Sequence, residues 1–208
     1  MNLLPKDLEK LLEQFQKLPG IGPKSAARLA YSFLEKADSD KAAFIEVIKG
    51  ASDRISRCTQ CCNYSESSLC KVCDSSERQD TQILVVEEPM DAYTFESTGT
   101  YEGMYHILGG LISPVNGVGP NEISVDQLIK RIKKITGEGR EVEIILGITL
   151  TLEGEATASH IVELIRVLPE VGGLCNFTTL ARGLPSGADL DYADTRTLQN
   201  AFNGRSQY

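Results

Sequence analysis

Four of the six cysteines of this 208-residue chain are spaced as two C-x-x-C pairs. In CTQCCNYSESSLCKVC, residues 58–73, eight residues separate the pair Cys58 and Cys61 from the pair Cys70 and Cys73. Two such knuckles can close on one tetrahedral zinc ion, and four thiolates leave no coordination position for water or substrate. The spacing therefore predicts one structural zinc ion per chain.

The neighbouring Cys62 leaves a second choice of ligand open. Cys58 and Cys62 could pair across three residues, but the matching two-residue gaps favour Cys61 as the ligand. The sixth cysteine, Cys175, lies in an apolar stretch and is predicted to be a small buried hydrophobic residue. Disulfides are not expected, because the chain is predicted to be cytoplasmic.

A second group of residues suits an anion: the stretch LPGIGPKSAARLA, residues 18–30. Gly20 and Gly22 can adopt positive φ and bring the main chain close to a ligand. The helix that begins near Lys24 would add its free N–H groups and its positive dipole end, with Lys24 and Arg28 on one face. The pattern predicts a site for nucleic-acid phosphates, read without regard to base. The alternative is a helix connector whose glycines only allow close packing.

This stretch is not a nucleotide P-loop, because Pro23 precedes Lys24 where that motif requires glycine. LPGIG followed by a basic residue resembles the helix-hairpin-helix element of DNA-binding proteins. Charge is unevenly distributed along the chain. The net charge of −8 divides into +2 for residues 1–57 and −10 for residues 58–208. The two parts are therefore expected to meet different partners.

The elements that position these residues follow from periodicity. Helical spacing of apolar residues predicts a helix before the glycine turn, a second helix after it, and a third helix with an apolar stripe formed by Phe44, Val47, Ile48, Ala51 and Ile55. Strands and helices alternate over residues 79–178. Strands are predicted at 83–86, at 142–148 and near 174–177, and a helix is predicted to open with a capping box from Ser124 to Gln127. Such alternation predicts a mainly parallel sheet.

Four carboxylates are predicted at the carboxyl edge of that sheet, where function gathers in parallel sheets: Glu87, Asp91, Glu153 and Glu155. Clustered carboxylates beside a DNA-binding element suggest magnesium and phosphodiester chemistry. The run from Val85 through Glu87 to Asp91 resembles the first motif of the Toprim fold of primases, topoisomerases and nucleases. The Asp-x-Asp pair that binds metal in those enzymes does not follow the later strand, because Asp38-x-Asp40 and Asp189-x-Asp191 lie elsewhere.

The whole chain resembles the RecR family of bacterial recombination mediators, with the motifs in the same order. The resemblance rests on LPGIGPKSAARLA, the four-cysteine segment, VEEPMDAYTFESTGTYEGMYHILGG, SPVNGVGP, TLEGEATA and LARGLPSGADLDYADTRTLQNAFNGR. It implies an α/β multidomain protein: a helix-hairpin-helix domain over 1–56, a four-cysteine zinc finger over 57–78, a Toprim domain over 79–178 and a C-terminal oligomerisation segment over 179–208. His106 belongs to the family pattern and is expected to be a packed, hydrogen-bonded histidine.

The resemblance also implies a non-enzymatic DNA-repair factor. Members form ring-shaped tetramers and act with RecO and RecF to load RecA onto single-stranded DNA. By position, Gly20, Gly22, Lys24 and Arg28 would contact single- or double-stranded DNA, the acidic Toprim residues Glu87, Glu153 and Glu155 would face RecO, and no residue would be catalytic. Two alternatives remain open: a magnesium-dependent Toprim nuclease or primase-like enzyme that uses these acids, and a zinc-stabilised adaptor that does not contact DNA.

Neither a signal peptide nor a membrane span is predicted. The N-terminal MNLLPKDLEKLLEQF is charged and amphipathic, without the apolar core and small-residue cleavage site of a signal peptide. No run of eighteen apolar residues occurs. We therefore expect a cytoplasmic protein without membrane contact.

Overall fold

The computed structural model describes residues 4–187 and 189–205. The chain divides into two compact units, Met1–Ile55 and Ser56–Tyr208. Within the described residues, no helix combines the length and the apolar character needed to cross a membrane.

The first unit contains the predicted succession of helix, glycine turn and helix, followed by a third helix: α1 (Lys6–Gln16), α2 (Pro23–Leu34) and α3 (Asp38–Arg54). The apolar stripe of α1 is half-buried against α2. Ala26 and Ala30 of α2 are fully buried, and their small side chains allow the close approach of the two helices. They are the only buried residues among residues 4–55. The core of this unit is therefore thin.

The predicted stripe of α3 exists, but most of it faces solvent in the single chain. Phe44 is 49% exposed, Val47 67% and Ile48 55%, and no residue of α3 is buried. The Phe44 ring packs against the ring of Phe33 of α2 at a centroid distance of 5.5 Å. A helix that leaves its apolar stripe exposed presents a contiguous hydrophobic surface.

The second unit opens with a short antiparallel ribbon, β1 (Ser56–Arg57) and β2 (Tyr64–Ser65), which carries the cysteine segment. It continues with a four-stranded sheet and its helices: β3 (Gln79–Val86), α4 (Pro89–Ser97), β4 (Gly103–Ile107), α5 (Val125–Thr136), β5 (Val142–Leu146), α6 (Leu152–Arg166) and β6 (Cys175–Thr179). The strand order is β4-β3-β5-β6, and all pairs are parallel, as predicted.

Both faces of the sheet are covered, which explains its continuous apolar strands. Ile83 and Val85 of β3 face a core formed with α5 and α6. Leu84 and Val86 face the opposite side, where Ala92 of α4 and residues of the cysteine segment pack. Cys175, predicted to be buried, is half-buried at the edge of the first core.

The predicted capping box at Ser124 does not form. Ser124 precedes α5, but its side chain accepts no hydrogen bond from the helix. Its Oγ donates instead to the carbonyl of Ile107, beside the His106 ring. The hydroxyl therefore ties α5 to β4, where a buried acceptor was available, and does not cap its own helix.

Candidate metal centre, anion site and acidic cleft

The structure brings together Cys58, Cys61, Cys70 and Cys73, whose Sγ atoms all lie within 4.8 Å of one another. All four are at most 9% exposed. The Cys61 and Cys70 sulfurs are 3.5 Å apart. The hydrogen bond between them raises the pKa of the Cys61 thiol, as expected where several ionisable thiols share one buried site without a cation. A cluster of four soft sulfur donors fits a tetrahedral metal such as zinc.

Backbone turns explain why Cys61 joins this cluster and Cys62 does not. The Cys58 N–H donates to the carbonyl of Asn63 at 2.7 Å, and the Cys62 N–H donates to the carbonyl of Cys58 at 3.0 Å. Cys62 has a φ of 62°, the only positive φ of a non-glycine residue in the described part of the chain. The turn directs its half-buried side chain toward the core that contains Leu84 and Tyr105.

The predicted anion site lies at the turn between α1 and α2. Gly20 has a φ of 77°, a conformation that glycine adopts without steric cost. Gly22 does not adopt positive φ: it is extended, at φ −80° and ψ 172°, and precedes α2. Pro23 follows as the first helical residue, where its missing N–H costs nothing. Because Gly22 has no side chain, it leaves space beside the start of α2.

The N–H groups of the first helical turn have no intrahelical acceptor, and no side chain caps α2 to provide one. Lys24 and Arg28 are exposed, and neither forms an ion pair or side-chain hydrogen bond among residues 4–187 and 189–205. Two unpaired cations beside a helix N-terminus can hold a phosphate group.

Three of the four predicted acidic residues line a cleft of about 950 Å³ at the carboxyl edge of the sheet. Glu87, Asp91 and Glu155 line it, together with Arg166 and Arg182. Glu153 is exposed and is not among the residues that line the cleft.

Each of these three carboxylates already has a protein partner. Glu87 accepts a hydrogen bond from the Thr149 hydroxyl at 2.7 Å. Asp91 accepts one from the Glu88 N–H at 2.8 Å, as part of the capping box of α4. Glu155 forms ion pairs with Arg182, at 3.5 Å, and with Arg196. These contacts stabilise the fold locally, and no three carboxylates of the described residues lie close enough together to hold a metal ion.

Arg182 and Arg196 were not predicted as partners of the acidic residues. Both belong to the C-terminal segment, in which α7 (Thr195–Asn203) follows the turn at Leu190–Tyr192. Their signal in the sequence is weak, because long-range ion pairs leave no periodic pattern. Glu155, which was predicted to face a partner protein, contacts this segment.

Gly154 fixes the position of the acidic turn of α6. A Cβ at this residue would lie 1.9 Å from the carbonyl oxygen of Thr149, so the helix start approaches the preceding loop more closely than any side chain permits. The Thr151 hydroxyl accepts from the Gly154 N–H at 3.1 Å and caps the helix.

His106 is buried on β4 at 0% exposure, as a packed histidine. Its Nε2 lies 2.8 Å from the carbonyl oxygen of Ser124. Because a carbonyl only accepts, Nε2 carries the proton. Burial lowers the pKa of His106 to about 4, so the ring is neutral at physiological pH.

Three parts of the chain match known families. Residues 8–52 match the family described as RecR, helix-hairpin-helix, residues 81–172 match the Toprim domain, and residues 183–206 match the family described as RecR, C-terminal.

Curated relatives include proteins named Recombination protein RecR. The relative from Synechococcus elongatus is 38% identical over 205 residues, covering 99% of this chain and 98% of its own length. That from Thermobifida fusca is 41% identical over 198 residues, covering 95% of each chain. That from Treponema denticola is 39% identical over 201 residues, covering 97% of this chain and 98% of its own. With its helix-hairpin-helix, four-cysteine cluster and parallel Toprim sheet, the chain belongs to the RecR family of recombination proteins.

Proposed function

We propose that this protein is a non-enzymatic recombination mediator that binds DNA as a ring-shaped oligomer, a tetramer, and acts with RecO and RecF to load RecA onto single-stranded DNA. The observation that carries the proposal is the uncapped N-terminus of α2, with Lys24 and Arg28 exposed and without ion-pair partners in the described residues. Such a site binds backbone phosphate and reads no base, so it serves single- and double-stranded DNA alike.

One such site neutralises few phosphates, whereas affinity for DNA depends on how many are neutralised together. Several copies of the chain around one DNA would multiply the contacts. The exposed apolar stripe of α3 supports this assembly, since a unit with two buried alanines gains core by packing against a second copy.

The acidic second unit is the proposed surface for a basic partner, RecO, because complementary charge attracts such a partner and repels DNA elsewhere. Glu153 and Glu87 are the candidates for this contact. Glu155 is a weaker candidate, because Arg182 and Arg196 already neutralise it.

We further propose that the four cysteines hold one structural zinc ion per chain and that the protein works in the cytoplasm. A closed four-thiolate site offers no position for a reacting molecule. The alternative, a magnesium-dependent Toprim nuclease or primase-like enzyme, would require carboxylates free to bind metal. Glu87, Asp91 and Glu155 are hydrogen-bonded or ion-paired within the chain, which favours the mediator.

DNA binding measured at several salt concentrations tests the proposal. Lys24→Glu should lower affinity for duplex and single-stranded DNA at least tenfold at about 0.15 M salt, and should reduce the salt slope by about 0.9 for each lost phosphate contact on duplex DNA. Lys36→Glu is the matched control, since this exposed lysine lies beyond the other end of α2. Equal losses in both variants would contradict a localised phosphate site.

The same preparations, incubated with labelled DNA and magnesium or manganese, should leave the DNA uncut. Metal-dependent cleavage that disappears in Glu87→Gln would favour the enzyme instead.

A further inference from the structure

Arg131 of α5 is a buried cation whose hydrogen bonds are incomplete. It is 6% exposed, and its Nη1 donates to the carbonyl oxygen of Tyr105 at 2.9 Å. Its Nε and Nη2 are buried without a hydrogen-bond partner among the described residues. No described carboxylate lies within ion-pair distance of it either. A guanidinium removed from water requires a compensating negative charge.

The cysteine cluster lies along the same strand edge. Tyr105 and Ile107 are two residues apart on β4, so their backbone groups point to the same side, the open edge of the sheet. Arg131 binds this edge at Tyr105, and the carbonyl of Cys61 accepts from the Ile107 N–H at 2.8 Å. Arg131 and the cysteine loop therefore bind the same strand at two residues that are about 6.6 Å apart along it.

The charges of the two groups are complementary as well. Four thiolates around a divalent cation carry a net charge of −2 in a buried site. Such a centre would place a net negative charge beside Arg131, whose positive charge has no ion-pair partner among the described residues.

We propose that Arg131 is the buried counter-charge of the metal–thiolate centre, and that it couples metal binding to the edge of the Toprim sheet. With metal bound, the guanidinium has an anionic neighbour. With the cysteines protonated, no described carboxylate lies within ion-pair distance of it, and Asp80, which is paired with Arg140, acts on it only from farther away. Arg131 therefore favours the metal-bound form over the metal-free form, in addition to holding β4. The inference rests on the proposed metal site but not on DNA binding, so either can fail alone.

Competition for zinc between the full-length protein and a chromophoric chelator tests this role. Arg131→Met should weaken zinc binding ten- to a hundredfold, the usual effect of losing an outer-shell partner. Arg131→Lys keeps the charge and should stay close to the parent. Lys134→Met removes an exposed charge from the same helix and should change nothing. Arg131→Met with zinc affinity within twofold of Lys134→Met would overturn the proposal, as would equal losses in Arg131→Met and Arg131→Lys.

Cobalt substitution supplies a readout that a purely structural role would not move. Removal of the guanidinium leaves the thiolates more electron-rich, so the thiolate-to-cobalt charge-transfer band of Arg131→Met should shift to lower energy. Should Arg131→Met not fold, Arg131→Gln, which retains a donor for the Tyr105 carbonyl, carries the same expectation. An unshifted band in the folded variant would contradict the proposal and leave Arg131 with only a structural role, its hydrogen bond to Tyr105 of β4.

Discussion

Two adjacent cysteines, Cys61 and Cys62, have different surroundings because of one backbone angle. The positive φ of Cys62 turns its side chain to the core beside Leu84, while Cys61 points into the sulfur cluster. Adjacent residues of identical chemistry are thus separated by conformation. Spacing alone favoured Cys61, and the structure adds the physical reason.

Serine substitutions at these two positions should have opposite effects on metal content. Cys61→Ser removes one of four clustered sulfurs, so the purified protein should lose its zinc and misfold. Cys62→Ser should retain about one zinc per chain, since its side chain lies outside the cluster. Metal analysis of the purified proteins decides; zinc lost from Cys62→Ser but kept by Cys61→Ser would reverse the ligand assignment.

His106 should make stability depend on pH in a defined window. Its folded pKa of about 4 lies below its unfolded value of 6.5, so between these values the unfolded chain binds more protons. Its contribution is complete above pH 6.5 and is lost as the pH falls toward 4. The loss amounts to about 3 kcal/mol.

Denaturant unfolding from pH 7 to pH 4 would measure this contribution by comparing the parent with His106→Gln. Metal release at low pH affects both proteins, so the difference between the two curves isolates the histidine. The parent should lose more stability than the variant over this range. Parallel curves would contradict the effect.

At the scale of elements, the segments with a clear apolar pattern were predicted, whereas β4 and α4 were not. α2 and α5 have apolar residues at helical spacing, and β3 has four consecutive apolar residues. β4 was missed because all five of its residues are buried, so it shows no alternation, and a glycine and a histidine interrupt its apolar run. α4 was missed because its only buried residue is Ala92.

The contacts of the acidic cleft could not be predicted for a related reason. The carboxyl-edge placement of Glu87 and Asp91 followed from the parallel sheet. Their hydrogen bonds to Thr149 and Glu88, and the arginine partners of Glu155, depend on loop conformations that no periodic pattern encodes.

The C-terminal helix α7 is tied to α6 through Glu155, and its release should be measurable. Glu155→Ala removes the contacts with Arg182 and Arg196, worth together about 1 kcal/mol because the groups are substantially exposed. Backbone amides of α7 should exchange with deuterium about fivefold faster in a mass-spectrometric experiment. Glu153→Ala, an exposed acid without an ion pair in the described residues, is the control. Equal exchange in parent and Glu155→Ala would show that α7 is held by other contacts.

At the scale of the whole molecule, the two units differ in how they are stabilised. The second unit has an extensive core on both faces of its sheet. The first unit has two buried alanines and an exposed apolar stripe. We therefore expect the first unit to depend on assembly and the second to be self-sufficient.

A charge on the α3 stripe should break this assembly. Val47 is 67% exposed in the single chain, so Val47→Glu should be tolerated there but excluded from an interface between copies. Light scattering should then report a smaller mass, and the salt slope of DNA binding should become shallower although Lys24 is intact. Lys49→Glu places the same residue off the stripe of the same helix and should keep the parent mass. A Val47→Glu protein with unchanged mass and slope would remove α3 from the interface.

The covered edge of β4 also has a consequence for solubility. The loop that contains Cys61 and the side chain of Arg131 occupy the hydrogen-bonding groups of an outer strand that is buried throughout. If metal loss releases that loop, we expect the strand Gly-Met-Tyr-His-Ile to be left with an open, apolar edge. Open edges of this kind pair with one another and nucleate aggregates. We therefore expect a cell short of the proposed zinc ion to lose this protein by precipitation, even with the proposed DNA-binding residues intact.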